Sequence, residues 1–229
     1  MLNRNRYLLA LTLVLSLSLS TSAQEISRES LASPGPYQVA YYSSYPAVPE
    51  FSAATIYFPA NKGEDFPGIA ISPGFVESQE NMSWWGNHLA SHGYAVLTLD
   101  TNELRDDPSL RADALMAAIE VLRNEGERMG GTLRGKILND RMAIMGHSMG
   151  GGGTLIAASA HSAELKAAIP FTPWQPDGDF SAISIPTLVI AGENDRIAPV
   201  ADHALPHFES LPEDIPKMYF EIKEGNHFI

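Results

Sequence analysis

The sequence predicts an α/β fold in which a mostly parallel sheet is flanked by helices on both faces. From residue 54 onward, short runs rich in apolar and β-branched residues alternate with longer segments of helical periodicity, which is typical of parallel sheets wound with helices. Several of the short runs are apolar throughout, as expected for strands covered on both faces. A Gly-x-Ser-x-Gly sequence directly follows one run, where the chain is expected to turn from a strand into a helix.

The individual elements follow from the same patterns. Strands are predicted over residues 54–58, 68–72, 94–99, 142–145, 167–171, 187–191 and 217–222, and helices over 82–92, 108–124, 149–160 and 201–211. The second helix has the clearest start, because Asp107 is a favourable N-cap and Pro108 suits the first helical position. Leu115, Ile119 and Leu122 then fall on one face of that helix.

The first 23 residues have the pattern of a secretory signal peptide. Arg4 and Arg6 precede an apolar stretch over residues 7–19, and Thr21-Ser22-Ala23 forms a small-residue cleavage site. The stretch is too short to span a bilayer, and no later segment is apolar enough to do so. We therefore expect a secreted protein, periplasmic or extracellular, with one α/β domain over residues 24–229 and no membrane insertion.

Composition excludes several function classes. The chain has no cysteine, which rules out a thiol nucleophile and any cysteine-ligated metal. Its formal net charge of −12 disfavours nucleic acid and anionic membrane surfaces as partners. The histidines lack the spacing of metal ligands. We expect a monomer that acts without a cofactor or a metal.

The Gly-x-Ser-x-Gly sequence identifies Ser148 as a candidate nucleophile. Residues 142–145 form an apolar run that leads into Gly146-His147-Ser148-Met149-Gly150, the strand–turn–helix context of a nucleophile elbow. The turn is so sharp that a Cβ at either glycine would collide with neighbouring backbone, and the strain points the serine Oγ at a substrate. A chance match is expected in about one chain in ten of this length, but rarely between a buried strand and a helix start.

A serine hydroxyl needs a histidine to take its proton and a carboxylate to orient that histidine. Among the seven histidines, His227 follows the last predicted strand in a loop, and the order serine, acid, histidine along the chain is that of α/β-hydrolases. His147 is adjacent to Ser148 and cannot easily turn back onto its Oγ. The other five fall within or beside predicted helices: His88, His92, His161, His203 and His207.

Asp195 is the preferred acid, because it lies just past the strand predicted over residues 187–191. Glu193 is the nearer rival, whereas Asp177 and Asp179 lie in a polar loop and are more typical of turn residues. The oxyanion of the intermediate requires backbone N–H groups. These are expected from Met149, the residue after the nucleophile, and from Phe75 in the loop after the strand over 68–72.

Six short segments occur together and in order: 73–75 (Pro-Gly-Phe), 84–86 (Trp-Trp-Gly), 99–102 (Leu-Asp-Thr-Asn), 146–153 (the elbow and its glycines), 172–174 (Thr-Pro-Trp) and 193–199 (Glu-Asn-Asp-Arg-Ile-Ala-Pro). With them the chain resembles bacterial cutinases and poly(ethylene terephthalate) (PET) hydrolases of the α/β-hydrolase superfamily, from about Gly35 to the last residue. The resemblance implies the same catalytic triad, namely Ser148, Asp195 and His227, and the same two oxyanion donors.

The resemblance also implies substrate contacts. Trp174 and Ile197 are expected as walls that hold an aromatic or alkyl ester, and Phe75, His147 and Phe228 as further contacts. Position 75 is Phe where many relatives have Tyr, which is expected to shift substrate preference. Relatives continue past the position of His227 into a helix that covers the sheet, so this chain is expected to lack that helix and to leave apolar sheet surface bare.

The expected activity is that of a secreted serine esterase acting on polyesters, either cutin-like or aromatic. Only 15 residues, 172–186, separate two predicted strands, and no helical lid fits there, which suits bulky substrates. Trp174 offers a flat face for aromatic groups, although an aromatic residue can equally serve core packing. The alternatives are a small-ester carboxylesterase or lipase, a peptidase with the same triad, and an inactive truncated fragment.

Overall fold

The computed structural model describes residues 27–228, so the proposed signal peptide over residues 1–23 lies outside the described residues. Eight strands form one sheet in the order β1-β2-β4-β3-β5-β6-β7-β8. β2 pairs antiparallel with β1 and β4, and all other neighbours are parallel. The predicted α/β class, with a mostly parallel sheet flanked by helices, is confirmed.

The strands are β1 Val39–Tyr42, β2 Ala53–Pro59, β3 Phe66–Ser72, β4 Ala95–Asp100, β5 Ile137–His147, β6 Ala167–Phe171, β7 Thr187–Gly192 and β8 Lys217–Ile222. The helices are α1 Arg28–Ala32, α2 Ser83–Ser91, α3 Pro108–Glu127, α4 Met149–His161 and α5 Ala204–Ser210, with 3-10 turns at Gln79–Met82 and Ser162–Glu164. Every predicted strand and helix is present, with ends that differ by a few residues.

The sequence patterns missed α1 and β1 and placed the start of β5 too late. β1 is a strand of only four residues at the edge of the sheet, and none of its side chains is fully buried, so its short Val-Ala-Tyr-Tyr run was not recognised as a strand. β5 begins at Ile137, because the exposed polar residues Asn139, Asp140 and Arg141 continue the strand before its buried part.

The two faces of the sheet are covered unequally. A large core of side chains from β2 to β7 packs against α3, α4 and α5, and a smaller core on the opposite face packs against α2. Beside α2 lies an apolar groove of about 700 Å³, whose walls include Trp85, Met145 and Ile190. On β8, Met218 is 62% exposed and Phe220 is 53% exposed. Residues 27–228 therefore leave apolar surface exposed on this face of the sheet.

The described part of the chain contains no helix with the length and hydropathy needed to cross a membrane. The parallel strands point their carboxyl ends to one edge of the sheet, and the candidate site residues lie at that edge, most of them in loops. Ligands of open α/β sheets bind at this edge.

Candidate active site

Ser148 occupies a strained turn between β5 and α4, with φ 54° and ψ −117°. This positive φ is costly for a residue with a side chain and is typical of functional sites. A Cβ at Gly146 would lie 2.2 Å from the Gly150 carbonyl oxygen, and one at Gly150 would lie 2.4 Å from the Ser72 carbonyl oxygen. Both positions therefore require glycine, and the turn holds the Ser148 hydroxyl at the carboxyl end of β5.

The structure brings Ser148, His227 and Asp195 into one hydrogen-bonded chain. His227 Nε2 lies 2.8 Å from Ser148 Oγ, and His227 Nδ1 lies 2.7 Å from Asp195 Oδ2. All three residues are buried. Asp195 Oδ1 accepts the N–H groups of Ile197 and Ala198, both at 2.8 Å. Because the Asp195 carboxylate can only accept, Nδ1 of His227 is the protonated nitrogen, and Nε2 can take the hydroxyl proton.

The environment of His227 favours the neutral imidazole. Burial lowers the pKa of His227 below its ordinary value, and this outweighs the Asp195 hydrogen bond and charge, which act in the opposite direction. The positive charge of the neighbouring His147 lowers it further. A histidine that is neutral near pH 7 is able to accept a proton, so the arrangement is suited to general-base catalysis.

The rival carboxylates make other contacts. Glu193 is exposed, and its Oε2 accepts the backbone N–H of Glu224 at 2.8 Å. Asp179 is also exposed and accepts the N–H of Ser181, and the hydrogen bonds to Ser181 lower its pKa. Asp177 lies in the same exposed loop. Of these four carboxylates, only that of Asp195 contacts His227.

The histidines in or beside helices also make contacts elsewhere. His161 pairs with Glu164, and His203 and His207 both lie within hydrogen-bonding distance of the Gln175 carbonyl oxygen. Burial lowers the pKa of His207 to about 4. The rings of His88 and His92 lie 4.8 Å apart on and just after α2.

The two proposed oxyanion donors lie close to Ser148 along the chain or in space. Neither Phe75 N–H nor Met149 N–H has a hydrogen-bond acceptor within residues 27–228. The Phe75 loop is close to the nucleophile, because a Cβ at Gly74 would lie 2.9 Å from Ser148 Cβ. Arg111 holds this loop in place, because its side chain is fully buried and donates to the Pro73 carbonyl oxygen at 2.9 Å. Two unpaired N–H groups beside a serine can stabilise a developing oxyanion.

The expected wall residues lie in the loops around the triad. Phe75, Ile197 and Phe228 are between 45% and 69% exposed, so they present apolar surface to solvent. Trp174 is half-buried, and its backbone N–H donates to the Ser148 carbonyl oxygen at 2.8 Å. Residues 172–186 contain no helix. The surface beside Ser148 is therefore partly aromatic and has no helical lid from this segment.

Glu77 is a charged residue of this site that the sequence patterns did not indicate. It lines a cavity of about 160 Å³ together with His147, Phe228, Trp84 and Trp85. His147, expected as a substrate contact, is buried, and both of its ring nitrogens lie 2.7 Å from protein oxygen atoms. The sequence feature that could have indicated a role for Glu77 is its position, two residues after the candidate oxyanion donor Phe75. Within residues 27–228, no group of three or more histidines and carboxylates is arranged to hold a metal ion.

The chain is similar to known proteins over most of its length. The family model described as PET hydrolase-like matches residues 24–229. The chain is 43% identical over 198 residues to Cutinase 1 of Thermobifida cellulosilytica, covering 86% of this chain and 74% of the relative. It is 43% identical over 198 residues to a cutinase of Thermobifida fusca (86% and 64%). It is also 43% identical over 196 residues to a bis(hydroxyethyl) terephthalate hydrolase of Streptomyces coelicolor (85% and 61%).

The chain thus spans less than two thirds of the length of the last two relatives. The match to the family model nevertheless extends over nearly the whole chain, including every residue of the site. The chain belongs to the PET hydrolase-like family of bacterial cutinases and polyester hydrolases.

Proposed function

We propose that this protein is a serine esterase that hydrolyses carboxylic esters through an acyl-enzyme intermediate. The observation that carries the proposal is the continuous hydrogen-bonded chain from Ser148 Oγ through His227 to Asp195. The lowered pKa of His227 supports it, because the base must be neutral to accept a proton. The cutinases and the bis(hydroxyethyl) terephthalate hydrolase among its relatives have names that imply ester cleavage.

In the proposed reaction, Ser148 Oγ attacks the ester carbonyl carbon while its proton passes to His227 Nε2. The oxyanion that forms accepts hydrogen bonds from Phe75 N–H and Met149 N–H. His227 then gives its proton to the departing alkoxy oxygen, and the acyl group stays on Ser148. A water molecule attacks this acyl-enzyme with His227 again as base, which releases the carboxylic acid and restores the serine.

We further propose that the substrates are polyesters and that the protein is exported. The exposed apolar side chains of Phe75, Ile197 and Phe228, together with Trp174, offer a surface for an aromatic or alkyl chain. The short segment 172–186 leaves that surface accessible to bulky material. Export rests on the signal-peptide pattern of residues 1–23.

Replacing the nucleophile tests the esterase proposal. We expect Ser148→Ala to reduce turnover of para-nitrophenyl butyrate by at least about three orders of magnitude, because the members of a triad act as a unit. Circular dichroism should show an unchanged fold. Ser83→Ala is the matched control, since Ser83 lies at the start of α2 and donates only to the Glu80 carbonyl oxygen. Substantial activity in Ser148→Ala would contradict the proposal.

Trp174→Ala tests the polyester proposal. We expect hydrolysis of an aromatic polyester film to fall by up to about tenfold, since an aromatic contact contributes roughly 0.5–1.5 kcal/mol beyond the area it buries. Turnover of the soluble butyrate ester should fall less, because a short acyl chain needs only the triad and the oxyanion donors. Tyr41→Ala controls for loss of an exposed aromatic ring on the distant edge strand β1. Equal losses on both substrates, with a lower melting temperature, would mean that Trp174 serves packing alone.

A further inference from the structure

We propose that Glu77 is a positioning residue for ester hydrolysis, joining the loop of the oxyanion donor Phe75 to the loop of the base His227 through His147. The proposal rests on the esterase function proposed above. Glu77 does not touch the reacting atoms in this arrangement. Its role is to hold two catalytic segments, which are far apart in the sequence, at a fixed separation.

The contacts form an unbroken path. Glu77 Oε2 accepts the backbone N–H of Gly74 at 2.6 Å and lies 2.7 Å from His147 Nδ1. The other ring nitrogen, Nε2 of His147, lies 2.7 Å from the carbonyl oxygen of His227. Gly74 directly precedes the oxyanion donor Phe75, so one carboxylate oxygen connects the two sides of the site. Both the Glu77 and the His147 side chains are mostly buried, which strengthens each of these bonds.

The Phe75 loop has a strained backbone that needs such support. Val76 has a φ of 54°, a conformation that is a genuine outlier for a β-branched residue. The turn around it is closed by a hydrogen bond of 3.3 Å from Glu77 N–H to the Gly74 carbonyl oxygen. The Glu77 side chain closes the same turn from the other direction by accepting the Gly74 N–H. Strain of this kind persists only where the surrounding contacts hold it.

The hydrogen-bond partners fix the charge of His147. A backbone carbonyl and a carboxylate can only accept, so both ring nitrogens of His147 must donate, and the ring is an imidazolium. Burial by itself would lower the pKa of His147, but the hydrogen bond and charge of Glu77 outweigh it and raise that pKa above its ordinary value. In the same way, burial would raise the pKa of Glu77, and the bonds from His147 and Gly74 lower it overall.

The charged groups that face this pair lie on several elements. His227 and Asp195 approach His147 from the loops after β8 and β7, where the His227 backbone carbonyl and the charge of Asp195 both raise the pKa of His147. The charge of Glu77 also acts on the guanidinium of Arg111 on α3, which donates to the Pro73 carbonyl oxygen beside the Phe75 loop. A neutral imidazole has only one N–H, so loss of a proton from His147 would set a lone pair against either Glu77 or the His227 carbonyl. Activity should therefore decline on the alkaline side as His147 loses its proton.

The test is the pH dependence of kcat and KM for para-nitrophenyl butyrate in wild type, Glu77→Gln, His147→Gln and the double variant. We expect Glu77→Gln to lower kcat about tenfold, the scale of one hydrogen bond to a charged group, with KM changed by less than about twofold. The alkaline decline should move to lower pH in Glu77→Gln and disappear in His147→Gln. The double variant should be no slower than the slower single variant, because the two residues act as one unit.

Glu80→Gln is the matched control, since it makes the same chemical change at an exposed position three residues further along the chain. It should retain the kcat and the pH profile of the wild type.

If Glu77→Gln also retains the wild-type kcat and pH profile, the positioning proposal is wrong while the esterase function stands. The proposal is equally wrong if Glu77→Gln lowers the melting temperature and kcat with the alkaline decline unmoved, because the role is then structural. If Glu77→Gln does not fold, an alkaline decline that survives in His147→Gln overturns the proposal. Absence of turnover in the wild type and in Glu80→Gln overturns the esterase function and this proposal together.

Discussion

Two histidine–carboxylate pairs lie side by side at this site and differ in charge. His227 pairs with Asp195 and His147 pairs with Glu77, each with an N–O distance of 2.7 Å, and the two rings are 4.9 Å apart. The pKa of His227 is lowered and the pKa of His147 is raised. A carboxylate beside a histidine is therefore not enough to make a general base.

The partner of the second ring nitrogen distinguishes the two pairs. His227 Nε2 faces the Ser148 hydroxyl, which can donate its proton, whereas His147 Nε2 faces a backbone carbonyl, which can only accept. The His227 ring can thus remain neutral with both of its contacts satisfied, whereas the His147 ring must be charged. The positive charge of His147 then helps to lower the pKa of its neighbour. Groups whose environments push their pKa values apart are suited to different catalytic tasks.

The largest expected effect comes from breaking the His227 pair. Asp195→Asn should reduce ester turnover by about four orders of magnitude, because the amide favours the wrong tautomer of His227. Glu193→Gln is the matched control: Glu193 lies two residues earlier in the same loop and accepts only the Glu224 N–H. Steady-state kinetics on para-nitrophenyl butyrate give the comparison. A larger loss in Glu193→Gln than in Asp195→Asn would mean that the wrong carboxylate has been assigned.

The second pair should affect stability with a distinct pH dependence. Because folding lowers the pKa of Glu77, its contribution is present above the unfolded value of about 4.3 and is lost as the pH falls through the folded value. Because folding raises the pKa of His147, its contribution is complete below about 6.5 and is lost as the pH rises through the folded value. The pair is therefore expected to stabilise the fold most between roughly pH 4.3 and 6.5.

Denaturant unfolding of wild type and Glu77→Gln at two pH values measures this contribution. We expect the variant to lose about 1–3 kcal/mol of unfolding free energy near pH 5.5 and less at an alkaline pH at which His147 of the wild type has lost its proton. Glu80→Gln should match the wild type at both values. The same loss in Glu77→Gln at both pH values would contradict a charged pair.

Much of this arrangement could be predicted from the sequence. The apolar runs of the sequence predict the parallel strands. Because parallel strands place their carboxyl ends at one edge of the sheet, loop residues such as Asp195 and His227 could be expected near Ser148. The role of Glu77 could not be predicted. Its contact with His147 depends on the positive φ of Val76, and a β-branched residue gives no sequence signal for that conformation. The edge strand β1 was missed because its apolar run is only four residues long and only partly buried.

The central claim, that His227 is the neutral base and His147 the charged bridge, is tested most directly by titrating both imidazoles with 1H–15N NMR. The His147→Gln variant assigns the His147 signals, and a His227→Gln variant assigns those of His227. We predict that His227 becomes protonated only below its ordinary value of about 6.5, and that His147 stays protonated above that value. A titration in which His147 loses its proton at a lower pH than His227 would contradict the account.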